Sequence, residues 1–273
     1  MRRRATAAVA LALLAGAVLV AVELVQGSEP GSKAFATERF SLHSRLLHRD
    51  LGQILLVPRG ARNPDRGLLV LLHGRTNSLD GPRSMLSDEL FRALEKLGPS
   101  APAVLLVNGG ESSYFHDRSD GPWGRYVVTE AIPAGLRRAH ARRDRVAIGG
   151  ISMGGFGALD IAALNRGRFC AAGGHSPAIF ASGGASAPGA FDDAADFARH
   201  DVLARARVRN PYAGMPVWLD AGDQDPFRAT TTELGELIHH PAHVWRGSHD
   251  GAYWRRHMRA YVQFYARALK LCD

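Results

Sequence analysis

The chain is 273 residues long, with 46% hydrophobic and 22% charged residues, enough apolar content for a large buried core and too much for wholesale disorder. Two cysteines are too few for a disulfide scaffold or a four-thiolate zinc site. The net charge of +8 raises nucleic acid or another anionic surface as a partner, so the placement of that charge matters.

Met1-Arg2-Arg3-Arg4 is followed by an uncharged apolar stretch, residues 5–22. A cationic start ahead of such a stretch is an export signal. A signal peptide over residues 1–27, cleaved after Val25-Gln26-Gly27, is the favoured reading. An uncleaved N-terminal anchor, giving membrane association through this segment, is the alternative. Both imply a secreted or cell-envelope protein. Removal of residues 1–27 takes away three arginines and Glu23, lowering the charge from +8 to +6. The densest remaining run, Arg137-Arg138-Ala139-His140-Ala141-Arg142-Arg143-Asp144-Arg145, reads as a solvated helix end and connector. No nucleic-acid motif accompanies it, so no nucleic-acid partner is expected.

Residues 28–36 read as a linker and 37–273 as a single domain. Residues 40–47 and 53–57 suggest a leading pair of strands. Residues 67–72 and 103–107 are continuous apolar runs, the pattern of parallel strands buried on both faces. Residues 145–149, 169–173, 216–220 and 242–245 follow that pattern. Helical stretches separate most of them, at 87–97, 126–140 and 156–164, and a last helix at 252–271 puts Trp254, Met258, Tyr261, Val262, Tyr265 and Leu269 on one face. Alternating strands and helices predict an α/β fold, a mostly parallel eight-stranded sheet with helices on both faces. Residues 176–214 break the alternation after the sixth strand. They read as an insertion over one edge of the sheet, a small cap or a plain surface loop.

Ligands bind at the carboxyl ends of strands in such sheets. Strand 145–149 runs into Gly150-Ile151-Ser152-Met153-Gly154, a Gly-x-Ser-x-Gly turn ahead of a helix. A nucleophilic serine needs a tight turn that exposes its hydroxyl, and small residues on either side let strand and helix pack closely. A serine hydroxyl also needs a base, and the base an orienting acid. In this topology both follow the serine, acid first. Asp223 and Asp225 lie just after strand 216–220, and His249 follows strand 242–245. Asp225 is the favoured acid by its place in the loop, and Asp223 the alternative. Asp220 is read as still on the strand and Asp250 as the cap of the last helix. His239, His240 and His243 read as a surface turn rather than a metal site. His175 either lines the pocket or packs within its loop. An oxyanion formed in acyl transfer needs two N–H donors. Met153 N–H, next to the serine, is one candidate. Arg75 N–H, in the loop Leu72-His73-Gly74-Arg75-Thr76, is the other.

Leu71-Leu72-His73-Gly74, the stretch from Asn108 to Phe115, Gly150-Ile151-Ser152-Met153-Gly154-Gly155 and Ser248-His249-Asp250-Gly251-Ala252-Tyr253-Trp254-Arg255 resemble the esterase D / antigen 85 group of α/β-hydrolases. The resemblance spans about residues 37–271. It implies an α/β-hydrolase fold and a serine esterase acting on a small-molecule, lipid or carbohydrate ester, with no cofactor and no metal. An acyltransferase of the mycolyltransferase kind, acting on an envelope sugar or lipid, is the alternative. A non-catalytic binding protein on the same scaffold is the reading from a different class. Within such a fold Cys170 opens the sixth strand and Cys272 follows the last helix. In an exported protein they can pair and pin that helix; two free thiols are the other possibility.

Overall fold

A computed structural model describes residues 30–60, 63–75, 79 and 84–272. The proposed signal or anchor segment lies outside the described residues. Eight strands form one sheet: β1 Phe35–Ser44, β2 Arg49–Pro58, β3 Leu68–Leu72, β4 Ala103–Val107, β5 Val146–Ile151, β6 Ala171–His175, β7 Val217–Gly222 and β8 His243–Trp245. Their spatial order is β1-β2-β4-β3-β5-β6-β7-β8. β1 and β2 form an antiparallel hairpin, and β2 pairs antiparallel with β4. From β4 to β8 every pairing is parallel.

β1 starts at Phe35, so the expected linker over 28–36 is shorter than the sequence suggests. The strand also ends earlier, at Ser44. Its residues alternate between half-buried and exposed, as an edge strand's do, and it has no continuous apolar run to mark its ends. The central strands have such a run because they are covered twice. Leu68, Val70 and Leu72 of β3 face one core; Leu69 and Leu71 face the other.

The second of these cores is closed by α1 (Asp88–Glu95) and by the last helix, α7 (Gly251–Leu271). The other is closed by α2 (residues 123–139), by α3 (Met153–Leu164) and by α5 (Val202–Val208) and α6 (Arg228–Leu237). Helix α2 runs over 123–139, with a π-helical turn at Val127–Ala131, and ends on a left-handed His140. The basic run that follows is met by acids. Arg138 pairs with Glu38, and Arg142 with both Asp65 and Asp144.

Helix α3 begins at Met153, three residues before the apolar pattern. Glycines 154, 155 and 157 disfavour a helix on their own. Here close packing demands them: a Cβ on Gly157 would sit 2.6 Å from Phe115 Cβ, and one on Gly155 3.1 Å from Pro177 Cα.

The insertion 176–214 carries a short 3-10 turn and α4 (Ala194–His200), followed by α5. It does not lie over an edge of the sheet. Arg75, after β3, donates from Nη2 to Pro188 O at 2.7 Å. Arg118, beyond β4, donates to Gly189 O at 2.7 Å and pairs with Asp192. These loops leave the centre of the sheet, so the insertion roofs the middle of the carboxyl end. Among the described residues, no helix is long and apolar enough to cross a membrane.

Cys170 and Cys272 are joined in a disulfide with a Cα–Cα distance of 5.5 Å. It closes a loop of 102 residues and ties the end of α7 to the start of β6. A loop that long restricts the unfolded chain strongly. Cys272→Ser is therefore expected to lower the unfolding free energy by about 2–5 kcal/mol, read from urea melts of both forms. Equal midpoints would contradict the staple.

Candidate active site

Ser152 sits between β5 and α3 with φ 52° and ψ −117°, a strained backbone for a residue with a side chain. The strain is held in place by neighbours. Ser152 N–H donates to His175 O, while Ser152 O accepts from Phe156 N–H and Ala178 N–H, each at 3.0 Å. The flanking glycines follow from the same crowding. A Cβ on Gly150 would lie 2.5 Å from Gly154 backbone, and one on Gly154 2.2 Å from Leu72 O. A serine at a helix start ordinarily turns its hydroxyl onto the first-turn N–H groups. Ser152 makes no such cap.

Its Oγ meets His249 Nε2 at 2.9 Å instead, and His249 Nδ1 meets Asp225 Oδ2 at 2.9 Å. Asp225 Oδ1 accepts from Phe227 N–H at 2.8 Å. Burial pushes the Asp225 carboxyl up, but the hydrogen bond and charge of His249 and the Phe227 N–H outweigh it and hold the group below the usual carboxylate range. Asp223 is elsewhere. Its Oδ1 accepts from Gly247 N–H at 3.0 Å and its N–H donates to Trp245 O, so it ties the loop after β7 to the end of β8. Asp250 caps α7 by accepting from Tyr253 N–H at 2.8 Å.

The proposed oxyanion donors come from two adjoining elements. Met153 is the first residue of α3, so its N–H lies at the positive end of the helix. Arg75 follows β3. His73 holds the peptide before it. Gly109 N–H donates to His73 Nε2 at 3.1 Å, so the ring proton is on Nδ1 and donates to Gly74 O at 2.7 Å. Burial pushes the His73 imidazole below its ordinary range, against a smaller opposite effect of the Gly74 carbonyl. A trans peptide opposes its C=O and N–H, so this clamp turns Arg75 N–H away from His73.

Two aromatic rings flank His249: Phe227 and Trp254 each have ring centroids 5.2 Å from it. Phe180 stands next to both Phe227 and Tyr114, and Tyr114 also touches Phe191 of the insertion.

Sequence reasoning missed the buried network beneath this site. Asp220 of β7 accepts at Oδ1 from His175 Nδ1 at 2.7 Å and Trp218 Nε1 at 2.9 Å. At Oδ2 it accepts from Tyr253 at 2.9 Å and Tyr261 at 2.8 Å. Tyr265 donates to His175 Nε2 at 2.9 Å. That hydroxyl enters a notch in the sheet. Gly149 and Gly173 are register partners, and a Cβ on either would fall within 2 Å of Tyr265 Oη. Burial, reinforced by the Asp220 charge, pushes all three tyrosines well above their usual range, so each keeps its proton to donate. His175 is thus a packed histidine, not a pocket-lining one. The available signal was the set of three tyrosines on one helix face.

The remaining histidines divide. His243 stacks on Trp245 and lies over Trp218, and the 239–243 patch does not gather as a metal set. Among the described residues one group has metal-ligand geometry: His116, Asp196 and His200, at the insertion.

A parallel sheet of this order, with a serine at a strained strand-to-helix turn and a histidine and an aspartate brought to it from later strand ends, defines an α/β-hydrolase. The chain belongs to the Esterase family, described as "Putative esterase", whose model matches residues 44–265, and it is an ester hydrolase. Solved structures similar to it include a ferulic acid esterase, 19% identical, covering 86% of this chain and 98% of that one with a TM-score of 0.72. An S-formylglutathione hydrolase from Agrobacterium tumefaciens is 20% identical over 89% and 98%, TM-score 0.70. Mycobacterium tuberculosis MPT51 is 17% identical over 86% and 99%, TM-score 0.60. At these identities the likeness is one of fold, and it agrees with the resemblance to the esterase D / antigen 85 group. A comparison with curated proteins finds no significant match.

The depressed Asp225 carboxyl sets a direction for acid stability. Its stabilising effect is complete above the ordinary carboxylate range and is lost as pH falls through the lower folded-state value. The melting temperatures of wild type and Asp225→Asn should differ most above the ordinary carboxylate range and converge as pH falls below it. An equal gap at acid and neutral pH would contradict the pairing.

Proposed function

We propose that this protein is an exported serine carboxylesterase working through an acyl-enzyme. One observation carries the reading: the unbroken line from Ser152 Oγ through His249 to Asp225, with both contacts at 2.9 Å. In this reading His249 Nε2 takes the hydroxyl proton as Ser152 Oγ attacks the ester carbonyl carbon. Asp225 holds the imidazole in the tautomer that leaves Nε2 free, and it stabilises the imidazolium that forms. The N–H groups of Met153 and Arg75 receive the oxyanion. The imidazolium returns its proton to the departing alkoxide. Water then enters along the same path and releases the acid.

Export is supported by the N-terminal sequence and by the disulfide, since such bonds persist in oxidising compartments. The aromatic side chains around His249 and under the insertion favour a substrate with apolar or aromatic bulk beside its ester.

A fluorophosphonate probe tests the nucleophile. Wild type should label and Ser152→Ala should not; equal labelling of both, or none of wild type, would sink the reading. Asp225→Asn should lower kcat on a p-nitrophenyl ester by about three to four orders of magnitude. Asp223→Asn should cost far less. Product analysis with an added acceptor alcohol separates hydrolysis from acyl transfer: free acid alone supports the esterase, and ester of the added alcohol as main product supports the transferase.

A further inference from the structure

The ester chemistry leaves one buried cluster of ligand-type side chains without a use. His116 lies in the loop beyond β4. Asp196 and His200 stand four residues apart on one face of α4, in the insertion. All three are buried, and their ligand atoms lie within 4.8 Å of one another. His116 Nε2 is 3.0 Å from Asp196 Oδ2, and His200 Nε2 is 3.8 Å from Asp196 Oδ1. Neighbouring ligand atoms in a tetrahedral shell with bonds of about 2.0–2.1 Å are roughly 3.3 Å apart. The two contacts, one to each carboxylate oxygen of Asp196, lie on either side of that value.

The surroundings hold the ligands in a binding orientation. His200 Nδ1 meets Asp160 Oδ2 at 2.7 Å, and Asp160 Oδ1 accepts from Arg205 at 2.9 Å. A carboxylate on the far nitrogen fixes the ring and raises its basicity as a ligand. In the neutral ring it also leaves Nε2 without a proton 3.8 Å from Asp196 Oδ1, acceptor facing acceptor, a juxtaposition that a ring proton or a cation between them relieves. Asp196 is fixed in turn by Asp192 N–H on Oδ2 at 2.9 Å and Arg199 on Oδ1 at 3.0 Å. A cavity of about 260 Å³, lined in part by His116, Asp160 and His200, adjoins the cluster. It offers an entry path and room for water. His116 Nδ1 is buried with no hydrogen-bond partner. With Nε2 on a metal, Nδ1 carries the ring proton, and water in that cavity can accept it.

We propose that His116, Asp196 and His200 bind one zinc-class divalent cation, with water as the fourth ligand. Two imidazoles and a carboxylate suit zinc and its neighbours and do not suit magnesium. The ion would join α4 to the loop that carries Tyr114, and so clamp the insertion over the carboxyl end of the sheet. The rival account is a metal-free hydrogen-bond network among the same residues.

The full chain, stripped with a chelator and dialysed against ZnCl2 or MgCl2, separates the two. The proposal expects one zinc per chain by elemental mass spectrometry. It also expects a melting temperature raised by roughly 5–10 °C at a hundredfold excess over Kd, with no rise in magnesium. His116→Gln and His200→Gln should each abolish the stoichiometric zinc and the shift. Unchanged binding in both would assign the zinc to other histidines and overturn the proposal. Should the variants not fold, CoCl2 added to stripped wild type decides: intense visible bands of four-coordinate cobalt support the site, and their absence overturns it. Fluorophosphonate labelling of Ser152 is read in parallel, so failure of the metal site and failure of the esterase reading are told apart.

Discussion

One buried carboxylate organises the candidate-site end of this protein. Asp220 has no exposure to solvent and accepts four hydrogen bonds, two at each oxygen. A lone carboxylate in such a place costs several kcal/mol, and only full pairing offsets that cost. The donors come from two directions. His175 and Trp218 belong to the sheet, while Tyr253 and Tyr261 belong to α7. The charge can be satisfied only when α7 is docked in one register, so the network selects an arrangement as much as it stabilises one. Both sides lead on to the candidate site. Through the sheet, Asp220 O accepts from Ser176 N–H and His175 O accepts from Ser152 N–H. Through the helix, Tyr253 lies four residues beyond His249 and is the residue whose N–H Asp250 caps.

The glycines follow from the same docking. Helix α7 approaches the sheet closely enough for Tyr265 Oη to pass the plane of side chains between β5 and β6. Only a paired gap at Gly149 and Gly173 admits it. A step further along β5, Gly150 and Gly154 let the serine turn press against the end of β3. Gly222 is needed because Gly247 O would lie 2.3 Å from its Cβ, which brings the Asp225 loop against the His249 loop. The three loops are therefore set by backbone contact, which is stiffer than side-chain contact, and the disulfide fixes the far end of α7.

Much of this was legible in the sequence because it is written locally. A continuous apolar run marks a strand covered on both faces, and the order serine, aspartate, histidine at successive strand ends can be read without coordinates. The choice of Asp225 over Asp223 rested only on loop position, and what separates them is tertiary: one reaches His249 and the other bonds Gly247. The Asp220 network was hidden because its tyrosines satisfy an apolar face pattern as well as leucines do, and their hydroxyl partners lie 33, 41 and 90 residues away in sequence. The start of α3 was hidden by glycines that propensity counts against a helix and packing requires. The insertion was misplaced because its position depends on Arg75, His116 and Arg118, whose targets a one-dimensional reading does not pair.

The two buried aspartate–histidine networks divide the labour between frame and roof. Asp220 and His175 lie on register partners of adjacent central strands, so their geometry is that of the sheet. Asp196, His200 and His116 join a short helix to a loop, and neither element has a sheet's rigidity behind it. The seven-residue α4 is marginal on its own and depends on tertiary contacts for its order. Its position decides where Phe191 and Pro188 meet Tyr114 and Arg75. Hence the backbone geometry at Ser152 is fixed by the sheet and α7, whereas the shape of the space around the candidate site is fixed by how firmly the insertion is held.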